Sequence, residues 1–354
     1  MKDLIVVGAG PAGSELSRKM SEKGLDVEVV ERSDEIGKPL ACSGHVSPDI
    51  WDFVDDSERI LQNRIKGAHF HPDNSNYRFY SQETVSFVID RIELDRYKAE
   101  ESMEAGTTYS LGEEVKEVTE EKDHVAVETD SRSIKAKMVA GCDGASSKVR
   151  EEVGLPEPDR FYQGVLCFSD EDDDGDFVDV YTDVPEFFGW RIPRGDSVEY
   201  GAAVPQGEST MKWLERVVDE HTDMEETRNV CAGAIPVGPP ESVSTDRVFL
   251  VGDAAAQTKP FTGGGILYGM RCADVAASSV DLDDPESLGV YEEEWREELG
   301  REIWLGSMIE SMYSAPQSMQ KLGMWMFQGE ISVHMDHPTS LFSIQQLKSL
   351  FRRD

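Results

Sequence analysis

The sequence predicts an α/β chain with an α+β insert: a sheet-and-helix domain built from discontinuous segments, an inserted antiparallel β-rich domain, and a helical C-terminal segment. Three observations predict it. The chain opens on an apolar run, a glycine-rich turn and a helix-forming stretch (LIVV, GAGPAG, SELSRKM), followed by a second apolar run, DVEVV. Two later segments, KAKMVAGCDG and DRVFLVGDAAA, again end an apolar run on Gly and Asp. From about residue 160 to 235, VLCFS, FVDVYTD and SVEYGAAV read as antiparallel strands separated by turns such as PRGDS.

Taken in order, residues 3–7 read as a buried strand, 11–23 as a helix and 26–30 as a second strand, a βαβ opening. Residues 31–50 form a loop marked by Gly37, Pro39, Gly44 and Pro48, and a helix is expected near 91–105. HVAVET alternates with period 2, as a half-buried strand does. MKWLERVVDEH from 211 reads as an amphipathic helix, ILYGMRCADVAASSV as a helix after a glycine run, and the tail from 290 as helical. The expected organisation is a nucleotide-binding domain from 1–70, 90–155 and 240–285, a substrate domain from 71–89 and 156–239, and a C-terminal segment from 286–354.

Lys plus Arg number 35 and Asp plus Glu 70, for a net charge of −35 over 354 residues. Such a surface disfavours nucleic acid, because phosphate binding needs a basic patch. The self-repulsion is relieved when molar salt shortens the Debye length to about 3 Å. The composition points to a halophile with high internal salt, with an ordinary acidic mesophilic protein as the alternative. The run SDEDDDGD (169–176) reads as a solvated connection rather than a metal site. Five scattered cysteines without a CxxC pair argue against zinc and iron–sulfur ligation and fit a reducing cytoplasm. His69, His71 and His124 lack metal-ligand spacing, and His334 and His337 fit a structural or solvent role, so no metal is expected. No apolar run reaches the roughly 18 residues of a membrane span.

GxGxxG between a strand and a helix has a mechanical meaning. Gly8 permits the tight turn, Gly10 lets a phosphate approach the backbone beside Pro11 and Ala12, and Gly13 lets helix and strand pack closely. The pyrophosphate then meets the helix N-terminus. Glu31, followed by Arg32, ends the second strand where a carboxylate suits a ribose diol. The choice between FAD and NAD rests on AGCDGASSKVR (140–150) and VFLVGDAAAQTKPFTGGGI (248–266). There Asp253 is placed to accept from a ribityl hydroxyl, and Gly263–Gly265 to let a flat ring lie on bare backbone.

These marks resemble the FAD-dependent fold shared by aromatic hydroxylases and isoprenoid reductases. They are Gly8–Gly13 with Glu31, Asp143 and Gly144 after Cys142, Gly252–Asp253, Pro260 and Gly263–Gly265, with Arg91 before an Asp-containing helix. The resemblance covers nearly all of 1–275 and implies a Rossmann-like domain with non-covalent FAD, its isoalloxazine near residues 260–266, including Ile266. FFGWRIPRGDSVEYG resembles the signature of geranylgeranyl reductases in Phe188, Trp190, Pro193 and Gly201, with Ile192 in place of the usual Phe. The residues themselves offer a flat apolar wall suited to an apolar chain. ACSGHVS (41–47) resembles the Cys-x-Gly segment of the same reductases, and Cys42 or His45 is placed to relay a proton.

The implied activity is reduction of isoprenoid double bonds, foremost in archaeal geranylgeranyl glycerophospholipids. The alternatives are a quinone or other prenyl side-chain reductase, a monooxygenase or halogenase, and a flavin electron-transfer protein. Expected partners are an isoprenoid lipid, a donor that is either ferredoxin or NAD(P)H, and the membrane surface. The tail from 313, YSAPQSMQKLGMWMF, reads as packing against the β-lobe, or as an adaptable wall or membrane-facing patch. The expected location is the cytoplasm, at or near the inner membrane face.

Overall fold

The computed structural model describes residues 1–39, 42–55, 57–330 and 334–342. The opening unit is β1 (Lys2–Val7), α1 (Pro11–Glu22) and β2 (Val27–Glu31). β1 lies between β2 and the strand Ser133–Gly141, parallel to both. Thr108–Leu111 extends this sheet beyond β2, and Val248–Leu250 extends it beyond residues 139–141. The long strand Ser133–Gly141 changes partners along its length. Its first half pairs antiparallel with Val125–Thr129, and its second half is parallel to β1.

β1 is apolar in succession because both faces of a central parallel strand are covered. Leu4, Ile5, Val6 and Val29 are fully buried. Helices Arg91–Glu104 and Ile266–Ser279 flank α1. The first C-terminal helix, Ser287–Glu310, buries Tyr291, Trp295 and Leu299 in this same core. That segment is therefore part of the nucleotide-domain core rather than a separate unit.

The second sheet has eight strands. Their spatial order is Thr227–Val237, Arg160–Ser169, Val198–Pro205, Gly189–Pro193, Phe177–Tyr181, Gly67–His71, Tyr77–Tyr80 and Gly329–Glu330. The helix Thr210–Val218 covers part of one face with Leu214, Val217 and Val218. A small sheet of His45–Val46, Ser86–Ile89 and Leu61–Ile65 joins the two domains.

Two expected boundaries shift. The division at 70/71 falls inside Gly67–His71, which belongs to the large sheet. Residues 86–89, expected in the substrate domain, pair instead with 45–46 and 61–65. The expected tail reaches into residues 331–333 and 343–354, which lie outside the described residues. The acidic run is a largely exposed connection between strands, pinned where Asp173 meets Arg191 at 2.7 Å.

Gly8 and Gly13 at the β1–α1 junction have no spare room. A Cβ on Gly13 would stand 2.1 Å from the Gly8 carbonyl oxygen. Gly300, in the C-terminal helix, has nothing within 4 Å of a Cβ position. Gly13→Ala is expected to cost about 1–3 kcal/mol by overpacking. Gly300→Ala is expected to gain up to about 1 kcal/mol from helix propensity. Denaturant unfolding of the two variants checks both signs.

Candidate active site

A cavity of about 730 Å³ lies between the two sheets, reached by the nucleotide-domain turns and the concave side of the large sheet. Its nucleotide end is framed by glycine. Gly8 takes a φ of 105° and its Cβ would collide with the Cys142 carbonyl oxygen at 2.4 Å. Gly10 instead faces open space and lines the cavity with Pro11 and Ala12 at the uncapped N-terminus of α1. Glu31 is fixed beside this turn. Its two oxygens accept from Ala9 N at 2.9 Å and Ser33 N at 2.8 Å. Arg32 is exposed next to it. A bare backbone at a helix N-terminus with a carboxylate at the next strand end fits a dinucleotide's phosphates and ribose.

Asp143 has a different placement from the one expected. Its carboxylate accepts from Ser147 Oγ at 2.6 Å, Lys148 N at 2.7 Å and Val149 N at 3.0 Å. It caps the short helix Lys148–Glu152, while its neighbours Cys142 and Gly144 line the cavity. Pro260 also turns away and packs on Gly306 of the C-terminal helix. Gly252, Asp253, Gly263–Gly265 and Ile266 all reach the cavity.

The three-glycine run is bare for reasons within the protein. A Cβ on Gly265 would meet Asp253 Oδ1 at 2.2 Å, one on Gly264 would meet Lys259 Cε at 2.8 Å, and one on Gly263 would meet Ile235 Cγ2 at 3.0 Å. Burial pushes the Asp253 carboxyl up, against the pull of the Arg91 guanidinium. Arg91 lies in the same cavity, bonded to Asp95 at 3.1 Å and facing Cys42.

The opposite wall is aromatic. Phe187 stacks on Phe188 at 4.5 Å, Phe188 meets Trp190 edge-on at 5.9 Å, and Tyr313 closes on both phenylalanines. The Trp-to-Gly spacing of this stretch now has a physical cause. Trp190 and Gly201 are cross-strand partners, and a Cβ on Gly201 would stand 2.2 Å from the indole Cε2. The ring therefore lies on the bare Cα of Gly201. Pro193 ends that strand away from the cavity, its carbonyl accepting from Asn63 Nδ2 at 2.9 Å.

Sequence reasoning missed what holds this wall. The indole Nε1 of Trp190 donates to Glu199 at 2.8 Å, and Glu199 binds Arg194 at 2.7 Å. Arg194 also donates to the carbonyls of Ser43 at 2.6 Å and Ile89 at 3.0 Å. Both residues lie within the quoted stretch, but the carbonyls that Arg194 grips are more than 100 residues away in sequence.

Cys42, Ser43 and His45 follow in the loop that Arg194 grips, and all three line the cavity; Ala41 lies outside the described residues. Nε2 of His45 meets Ser86 Oγ at 2.7 Å. Burial, with the charges of Lys259 and Arg194, lowers its pKa to about 4. Lys259, also missed, lines the cavity and is bonded to buried Asp336, which in turn accepts from Ser47 Oγ. Burial alone would raise Asp336, but Lys259 and Ser47 hold it below the usual carboxylate range. His334 and His337 converge on Asp49 at 3.1 and 3.3 Å. Their ligand atoms lie within 4.8 Å of one another, but the Arg271 guanidinium is bonded to Asp49 and supplies the positive charge there.

The family model described as lycopene cyclase protein matches residues 3–313. A digeranylgeranylglycerophospholipid reductase of Methanothrix thermoacetophila is 31% identical over 85% of this chain and 84% of its own length. The chain belongs to the geranylgeranyl reductase family. A digeranylgeranylglycerophospholipid reductase of Methanosarcina acetivorans is 28% identical over 88% of this chain and 84% of its own length. A solved geranylgeranyl bacteriochlorophyll reductase-like protein of Thermoplasma acidophilum superposes with a TM-score of 0.85 at 22% identity, over 99% of both chains. This member of the reductase family is a flavin-dependent oxidoreductase with the expected α/β architecture. Among the described residues, no helix is long and apolar enough to cross a membrane.

The lowered pKa of His45 has a consequence for stability. Its contribution is complete above the unfolded value of 6.5 and is lost as pH falls toward about 4, because the unfolded chain then binds the extra proton. The imidazole is expected to stay neutral from pH 7 to 5 by NMR. Unfolding at pH 5 is expected to show a loss of stability relative to pH 7 that His45→Gln reduces.

Proposed function

We propose that this protein is a FAD-dependent reductase that saturates the isoprenoid double bonds of geranylgeranyl chains on a glycerophospholipid. The observation that carries the reading is one cavity with a glycine-framed nucleotide cradle at one end and the Phe187–Phe188–Trp190–Tyr313 wall along its side. The names of the methanogen relatives and the acidic, salt-suited composition support the lipid assignment.

The turn Gly8–Gly13 and Glu31 would hold the phosphates and ribose of FAD, and Asp253 with 263–266 would hold the flavin end. Bound and reduced there, the flavin supplies the hydride that one alkene carbon takes. The other carbon needs a proton, since nothing polarises an isolated double bond. Cys42 Sγ or His45, both of which line the cavity, would deliver it. His45 sits in the cavity as a neutral imidazole, held by Ser86, and a neutral ring can pass a proton from one nitrogen as it gains one at the other. Aromatic faces along the wall stabilise cation-like character on the substrate and exclude water. Two electrons per double bond come from outside, from ferredoxin or a nicotinamide. The protein works as a peripheral protein at the inner membrane face.

The test is to incubate the anaerobic, dithionite-reduced protein with unsaturated archaeal lipid in high salt and weigh the lipid by mass spectrometry. Gains in steps of two hydrogens are expected. Loss of the proton donor by Cys42→Ala or His45→Ala is expected to slow the steps by about a hundredfold or more, with flavin still bound. Unchanged lipid beside bound, reduced flavin would contradict the assignment, and oxygen uptake with NADPH and an aromatic substrate would replace it by a monooxygenase.

A further inference from the structure

The outer side of the C-terminal helices carries an apolar surface that the cavity does not use. The helix Ser287–Glu310 presents Trp304, 64% exposed, and Met308, 52% exposed, one turn apart. The following turn, Ser311–Ser314, adds Met312 on the same stripe. Met312 Cε comes within 4.0 Å of the Cβ position of Gly323, so the stripe runs onto the helix Gln317–Phe327. That helix exposes Met319, Leu322 and Trp325, the last by 62%.

The surface is also nearly free of charge. Between Ile303 and Gly329 only Glu310 and Lys321 are charged, in a chain that is 30% Asp, Glu, Lys and Arg. Glu310 is buried against Tyr162 and Arg160, and Lys321 pairs with Asp73 at 3.1 Å. Large apolar side chains scattered singly are ordinary on a protein surface, but a contiguous group of them marks an interaction site.

What the surface meets is indicated by its connection to the cavity. The helix Gln317–Phe327 turns Met324 and Phe327 to the cavity, and Phe327 is at the same time 47% exposed. The apolar lining and the apolar exterior are thus continuous at Phe327. We propose that this face docks on a lipid bilayer, and that a polyprenyl chain passes from the bilayer beside Phe327 into the cavity. The proposal rests on the lipid-reductase reading and adds the place where lipid enters. Two exposed tryptophans and flexible methionines suit a fluid, unpatterned apolar partner. Because the whole chain carries −35, an anionic bilayer repels the rest of the molecule. Docking therefore strengthens as salt rises, the reverse of a polybasic anchor.

Co-sedimentation of the flavin-loaded full chain with phosphatidylglycerol–phosphatidylcholine vesicles, at low and molar KCl, tests this. Binding is expected to rise with salt and to fall about tenfold or more in Trp304→Ser/Trp325→Ser, from the lost apolar burial. Val290→Ser, an exposed control some 14 residues earlier on the same helix, is expected to bind like the parent. Absence of vesicle binding at both salts, equal binding by the double variant, or binding that falls with salt would each overturn the proposal. So would a dimer that the same variant dissolves without any vesicle binding, or vesicle binding abolished by deleting 343–354 but not by the tryptophan changes. Reduction of detergent-dispersed lipid separates the two readings. If it proceeds without vesicle binding, the docking face falls alone. If vesicles bind through the tryptophans and the dispersed lipid stays unreduced, the substrate assignment falls alone.

Discussion

The ion pair of Arg194 and Glu199 is the contact on which the site's geometry depends. Both side chains are buried, at 6% and 0% exposure. Burial pushes the Glu199 carboxyl up, and the Arg194 charge and the Trp190 indole pull it back. A buried carboxylate is tolerated only when its partners are complete. Arg194 completes them and also donates to Gln62 Oε1 and to the carbonyls of Ser43 and Ile89, in the loop and small sheet that join the two domains. One guanidinium thereby ties the Trp190 strand to the loop of Cys42 and His45. The aromatic wall and the loop of Cys42 and His45 are held at a fixed separation.

A second buried pair plays a parallel part beside the three-glycine run. Lys259 and Asp336 join the loop before the three-glycine run to the C-terminal segment, and Ser47 joins that segment to the strand that begins at His45. The charge of Lys259 contributes to keeping His45 neutral. The positive groups around the cavity thus do two things: they neutralise buried acids, and they bias the His45 imidazole toward its neutral form.

The frame was legible in the sequence wherever a local pattern has a single mechanical cause. GAGPAG with Glu31 encodes a turn, a helix start and a strand end, and each residue there sits as its spacing implies. The Trp190-to-Gly201 interval was legible through resemblance, and its cause, an indole lying on a bare Cα, needed the paired strands. Asp143, expected at the cofactor, holds the start of the helix Lys148–Glu152, and Ser147, four residues on, is the local signal of that helix start. The segment holding His69 and His71 reads as strand-like, but GAHFH carries no local signal of the hairpin it forms with Tyr77–Tyr80. Lys259 and Asp336 are 77 residues apart, and no local pattern joins them.

The most direct test of this account is a double-mutant cycle on Arg194 and Glu199, read by denaturant unfolding. Arg194→Met alone leaves a buried carboxylate unpaired and is predicted to cost about 3–5 kcal/mol. Arg194→Met with Glu199→Leu is predicted to cost clearly less than the sum of the two single changes. Additive losses would contradict the claim that this pair holds the two sides of the site together.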